Sequence, residues 1–242
     1  MKIRRNLRSG STPARPGATF VTSAYCKGMS TPTDRAAWVH AALRPFAVQH
    51  QLAWLPRQQQ YRRTTPTGFR ALIVSLSHYA TDSVLELHLA LRHDLIETTA
   101  FRYTNGLSAF APDSLTLVAS SAKLRGVAFD RYVIRQPEDV QRASAVLLPW
   151  LAANAEAFWD KYAELRAVDV ALNAEPTTNT LLMPNQQLRC LRGLVAARYA
   201  QRPNWEVLIP LYRQRLVELY ATEPIRYGYE RLVDFLRTYT PN

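Results

Sequence analysis

Two runs of alternating apolar and polar residues dominate the first half of the chain. Leu72, Val74 and Leu76 alternate with Ala71, Ile73, Ser75 and Ser77, and Leu87, Leu89 and Leu91 alternate with Glu86, His88 and Arg92. A period of two places every second side chain on one face, so both runs predict strands with a single buried face. A two-residue turn at Thr81-Asp82 would set Ser75 opposite His88 and Leu76 opposite Leu87. Leucine and valine then share one face, and Ser75, Ser77, Glu86, His88 and Arg92 share the other. A one-residue slip would turn leucines toward water, so the pattern predicts the register as well.

Residues 58–64 predict a further strand, joined through a turn at Thr65-Pro-Thr-Gly68. That turn sets Tyr61 beside Leu72 on the apolar face, with Gln60 and Arg62 on the polar one. Short strands are expected at 115–119 and 129–134. The stretch 102–114 reads mostly as loop, with turn signals at Asn105-Gly106 and Pro112-Asp113. Ahead of the sheet, Thr33 and Asp34 open a helix bearing Ala37, Trp38, Ala41, Ala42 and Leu43. Pro45 is expected to end or kink it near Leu43 and Arg44.

From Pro137 the period changes to 3.6. Pro137-Glu138-Asp139 starts a helix that carries Val140, Ala143, Leu147, Leu151, Phe158, Tyr162 and Leu165, with Pro149 expected to kink or split it. Leu188, Leu191, Leu194, Val195 and Tyr199 mark another helix. A third carries Val207, Leu208, Leu211 and Leu216, with Pro210 near its start, and 229–239 closes the chain. The prediction is an α+β fold: an N-terminal helix and an antiparallel sheet of three to five strands, then an all-helical C-terminal half packed on the same core. The change of class divides the chain into a basic tail at 1–28, a sheet region at 29–136 and a helical region at 137–242.

Composition narrows this picture. Of 242 residues, 48% are hydrophobic and 20% charged, which is enough apolar content to exclude disorder of the whole chain. No apolar run is long enough to cross a membrane, so a soluble, cytoplasmic protein without a membrane partner is expected. The net charge of +11 is unevenly spread. Lys2, Arg4, Arg5, Arg8, Arg15 and Lys27 fall in the acid-free stretch 1–28. Such a stretch suits an organellar transit peptide, an arm for nucleic acid or anionic lipid, or a leader ahead of a start at Met29. The last reading is preferred, with the tail disordered and dispensable.

Candidate chemistry is sparse. Cys26 and Cys190 lie far apart with no CxxC spacing, so neither a zinc site nor a disulfide framework is expected. The glycines are too scattered for a phosphate-binding loop, and no cofactor or metal is expected. Ser120-Ser-Ala-Lys123 matches S-x-x-K, but the Lys-Thr-Gly strand that such chemistry requires is missing.

The polar sheet face is the better catalytic candidate. There His88 could serve as base beside Glu86, with Arg92 or Arg62 holding an anion and His93 just beyond, as in a hydrolase or transferase. A plain solvated face explains the same alternation. Cover over that face by the 102–114 segment would distinguish a site from bare surface. Arg189 and Arg192, among aromatics in the last third, raise nucleic-acid binding as another alternative, although interleaved acids weaken it. The preferred reading is a non-enzymatic binding or interaction protein that presents its sheet face or helical surface to a protein partner.

Overall fold

A computed structural model describes residues 30–240 apart from Asn105, so the basic stretch 1–28 lies outside the described residues. The first helix, α1 (Pro32–Gln49), starts two residues earlier than Thr33 implies. Thr31 is its N-cap, Pro32 occupies the first turn, and Asp34 closes a capping box back onto Thr31. Pro45 lies inside α1 without ending it. Five buried residues, among them Val39, Leu43 and Phe46, hold the helix across the proline.

Next come β1 (Ala53–Leu55), β2 (Gln60–Thr65), β3 (Gly68–His78) and β4 (Ser83–His93). They are followed by α2 (Asp94–Phe101), a 3-10 turn over Ser108–Asp113, β5 (Leu117–Ser120), α3 (Ser121–Arg125) and β6 (Tyr132–Ile134). The sheet is antiparallel throughout and runs β1-β2-β3-β4-β5, with β6 also paired to β4. β5 takes the His93 end of that edge of β4 and β6 the Ser83 end. The α+β architecture is as expected, and the three-residue β1 brings the sheet to six strands. Tyr61 stands opposite Leu72, as the Pro66-Thr67 turn requires.

The β3–β4 register differs from the expected one by two residues. Ser75 faces Glu86, Leu76 faces Leu85, and the loop is Tyr79–Asp82. A shift of two preserves both faces, so alternation alone could not detect it. Arg35 of α1 explains the choice: fully buried, it donates from Nε to Ser83 Oγ at 2.8 Å and from Nη2 to the Tyr79 carbonyl at 3.1 Å. His78 Nδ1 also meets Ser83 Oγ at 2.8 Å, which fixes His78 opposite Ser83.

Beyond the sheet, α4 (Pro137–Lys161) runs unbroken through Pro149. α5 (Leu165–Asn173) is a separate helix, followed by α6 (Gln186–Tyr199), α7 (Leu208–Glu218) and α8 (Glu223–Thr238). One apolar core extends from Val39 to Leu236 and joins the inner sheet face to these helices. Trp159 of α4 sits in it fully buried, its indole N–H donating to the Ala90 carbonyl at 3.0 Å. Gly228 brings α8 against the Tyr103 carbonyl, where a Cβ would collide. Among the described residues no helix is long and apolar enough to cross a membrane.

Candidate functional site on the outer sheet face

The outer sheet face carries Gln60 and Arg62 from β2, Phe69, Ala71, Ile73, Ser75 and Ser77 from β3, and Glu86, His88, Ala90 and Arg92 from β4. Its two ends differ. At one, Phe69, Ala71 and Ala90 form a small second apolar cluster with Ile73, Leu115 and Val118. The 107–115 segment folds over that end, and the two arginines hold it there. Arg92 donates from Nη1 to the carbonyls of Ala111 (2.7 Å) and Ser114 (3.0 Å), and from Nε to Asp94 at 2.5 Å. Arg62 lies over the Phe69 ring at 3.7 Å and donates to Asp113 Oδ1 at 2.8 Å. Gln58 adds a bond to Asp113 Oδ2 at 3.0 Å. Burial pushes the Asp113 carboxyl up, but the bonds from Gln58 and Arg62 and the nearby arginine charges bring it below its ordinary value.

A cavity of about 490 Å³ remains where this segment leaves the sheet, lined by Arg57, Gln58, Gln60, Ile73, Ala109, Phe110, Asp113 and Leu115. Gln60 is only 3% exposed, and its Oε1 finds no partner among the described residues. Phe110 at the cavity is 64% exposed. The residues therefore offer an amide floor, an aromatic ring and, in Arg57, a cation with no ion-pair partner among the described residues.

The other end of the face stays open. Glu86 accepts from Arg131 Nε at 2.7 Å, and no hydrogen bond reaches the His88 ring among the described residues. Burial lowers the His88 pKa, opposed by Glu86 and assisted by Lys123, so its imidazole is neutral near pH 7. Ser120 stands opposite His88 in the ladder, but its hydroxyl accepts the Lys123 N–H as the cap of α3. The S-x-x-K pattern is thus a helix cap.

The proposed catalytic group does not assemble as one cluster. Arg92 and Arg62 are engaged by the covering segment and Glu86 by Arg131, and among the described residues no hydrogen bond joins the His88 ring to any of the three, although the Glu86 charge acts on it. Arg189 and Arg192 are 2% and 6% exposed and lie inside the fold. Arg189 donates to the carbonyls of Leu172 (2.8 Å) and Glu175 (2.7 Å), tying α6 to the end of α5. Arg192 makes a two-point bond to the fully buried Glu97, at 2.6 and 2.8 Å. These two guanidiniums serve the fold and are withdrawn from any phosphate at the surface.

The Cys190 thiol is pushed up to about 12 by burial, which leaves it inert as a nucleophile. Among the described residues no group of His, Cys, Asp and Glu could hold a metal ion. Sequence reasoning placed Gln60 and Arg62 on this face but missed Arg57 and Phe110 as cavity walls. Their only sequence signal was an arginine and an aromatic in loops, which carries no spacing. Compared with known proteins, the chain matches no family model, no curated protein and no solved structure.

Proposed function

We propose that this chain is a binding protein and that the outer-face cavity is its ligand seat. The observation that carries the reading is the Gln60 carboxamide, almost wholly buried beside that cavity with an unpartnered carbonyl oxygen. Buried polar atoms without partners are uncommon, and each calls for a partner that completes it. A carboxamide presents one acceptor and two donors, so its complement is another amide edge, as in a lactam ring or a peptide unit. Phe110 can stack on a flat ring, and Arg57 can meet an anionic substituent. The volume falls within the range of roughly 300–1,000 Å³ typical of small-molecule seats.

Nuclear magnetic resonance with 2-pyridone as probe, and toluene as the apolar control, tests this reading. The lactam should shift the amide signals of Gln60, Ile73, Ala109 and Phe110, toluene should not, and Gln60→Leu should abolish the effect. Equal shifts in Gln60→Leu, or none at millimolar probe, would remove the proposal.

A further inference from the structure

We propose a second binding site, for a small primary-ammonium ligand, in the cleft where the end of β4 meets the corner between α4 and α5. This inference is independent of the sheet-face reading. It starts from His93, the last residue of β4, which is 4% exposed. Its backbone N–H donates to Thr116 Oγ1 at 2.8 Å, but its ring Nδ1 has no partner among the described residues. The ring lines a cleft of about 240 Å³, with the β2–β3 turn on one side and Trp159, Tyr162 and Glu164 on the other.

The charges around the cleft decide the class of ligand. Arg70 borders it, but its guanidinium is held by Glu156 at 2.9 Å and Asp160 at 2.8 Å. Arg92 is likewise held by Asp94. Both cations are thus matched by carboxylates, whereas Glu164 has no ion-pair partner among the described residues. Beside the Thr65 and Thr67 hydroxyls of the turn, three groups are left over: one unpaired carboxylate, one buried imidazole and the Tyr162 hydroxyl, which no hydrogen bond reaches among the described residues. All three can accept a hydrogen bond, and a primary ammonium carries three donors and the opposite charge. Because the Trp159 indole N–H is occupied by the Ala90 carbonyl, that side chain adds no donor to the cleft. Burial lowers the His93 pKa, despite the nearby Asp94, Glu164 and Glu97, and so keeps the ring neutral beside such a ligand. The small volume selects a short aliphatic amine.

Calorimetry and histidine ring-nitrogen spectra of the full chain, with propylammonium and its neutral isostere n-propanol, form the test. Propylammonium should bind and shift the His93 ring signals, and propanol should do neither. Glu164→Gln, at an exposed position, should keep the fold and weaken binding by about tenfold, as expected for loss of one charge-assisted bond. His93→Gln should also weaken it. Should that variant fail to fold, Glu164→Gln alone decides. Equal binding of propanol, unchanged affinity in Glu164→Gln, or no response to propylammonium at tens of millimolar would each overturn the proposal.

Discussion

At one end of the outer sheet face Phe69, Ala71 and Ala90 lie beneath the 107–115 segment, and Arg92 is only 9% exposed. At the other end Ser75, Glu86 and His88 are half-buried and Ser77 lies near the open edge, with Glu86 reached by the exposed Arg131. Both ends belong to the same two strands, but the outer face is apolar at Phe69, Ala71, Ile73 and Ala90 and polar at Ser75, Ser77, Glu86 and His88. They also differ in whether a third piece of chain finds hydrogen-bonding anchors on the sheet. Arg62 and Arg92 supply such anchors because their guanidiniums can satisfy loop carbonyls and Asp113 where water is excluded. Serines and a lone imidazole offer no comparable hold. A polar residue on a sheet face is therefore not by itself a mark of solvent or of chemistry. At the covered end it is the fastening that makes a cavity.

The largest effect should come from removing the stronger fastening. Arg92→Ala removes the guanidinium donor from the carbonyls of Ala111 and Ser114 and from the Asp94 carboxylate, and it should cost about 3 kcal/mol. Urea unfolding measures that loss, and amide exchange across 107–115 should accelerate far more than across β4. Unchanged exchange in that segment would mean that the arginine does not hold it.

A smaller effect is expected from Asp113→Asn, which weakens the contacts with Arg62 and Gln58. It should cost about 1 kcal/mol by denaturant midpoint, because the pair is only partly buried. Lactam binding should weaken with it.

Acid should act on both ends, in a defined direction. The folded pKa values of His88 and His93 lie below the ordinary 6.5, so the unfolded chain binds more protons there. Their contribution is complete above pH 6.5 and is lost as pH falls from there through the folded values. Asp113, lowered from 3.8, contributes above that pH and loses its contribution as pH falls further, through its folded value. The urea midpoint should thus fall in two successive windows, and His88→Gln should shrink only the upper one. A midpoint constant between pH 7 and pH 5 would contradict neutral buried imidazoles.

The smallest effect belongs to the open end. Glu86→Gln should change stability by less than about 0.5 kcal/mol, because Arg131 is 60% exposed and such pairs contribute little. A loss as large as that of Arg92→Ala would erase the distinction between the two ends.

Much of this molecule could be read from residue order. The leucine alternation in β3 and β4 and the Thr65-to-Gly68 turn specify the main apolar face, because a side-chain period of two puts the leucines on one side. The second cluster of Phe69, Ala71 and Ala90 on the other face depends on the covering segment. The helical spacing from Pro137 onward specifies the second half in the same way. Other features depended on partners distant in sequence. Pro45 and Pro149 remain inside helices because buried residues on either side hold them. The short β1 has no period to detect. α2 was missed because its apolar residues follow β4 without a break.

Local chemistry by itself determined the class of most segments, the leucine face of the sheet and the position of most of the core, since burial pattern and backbone geometry repeat over a few residues. Only the tertiary structure decided the hairpin register, through Arg35 reaching across from α1, and the fate of the arginines. Arg62 and Arg92 fasten a covering segment, while Arg189 and Arg192 are sealed inside. A guanidinium reads the same in sequence whether it faces water, a carbonyl or a buried carboxylate. Its role is set by which acceptors the fold brings within about 3 Å, and most of those acceptors lie well away along the chain.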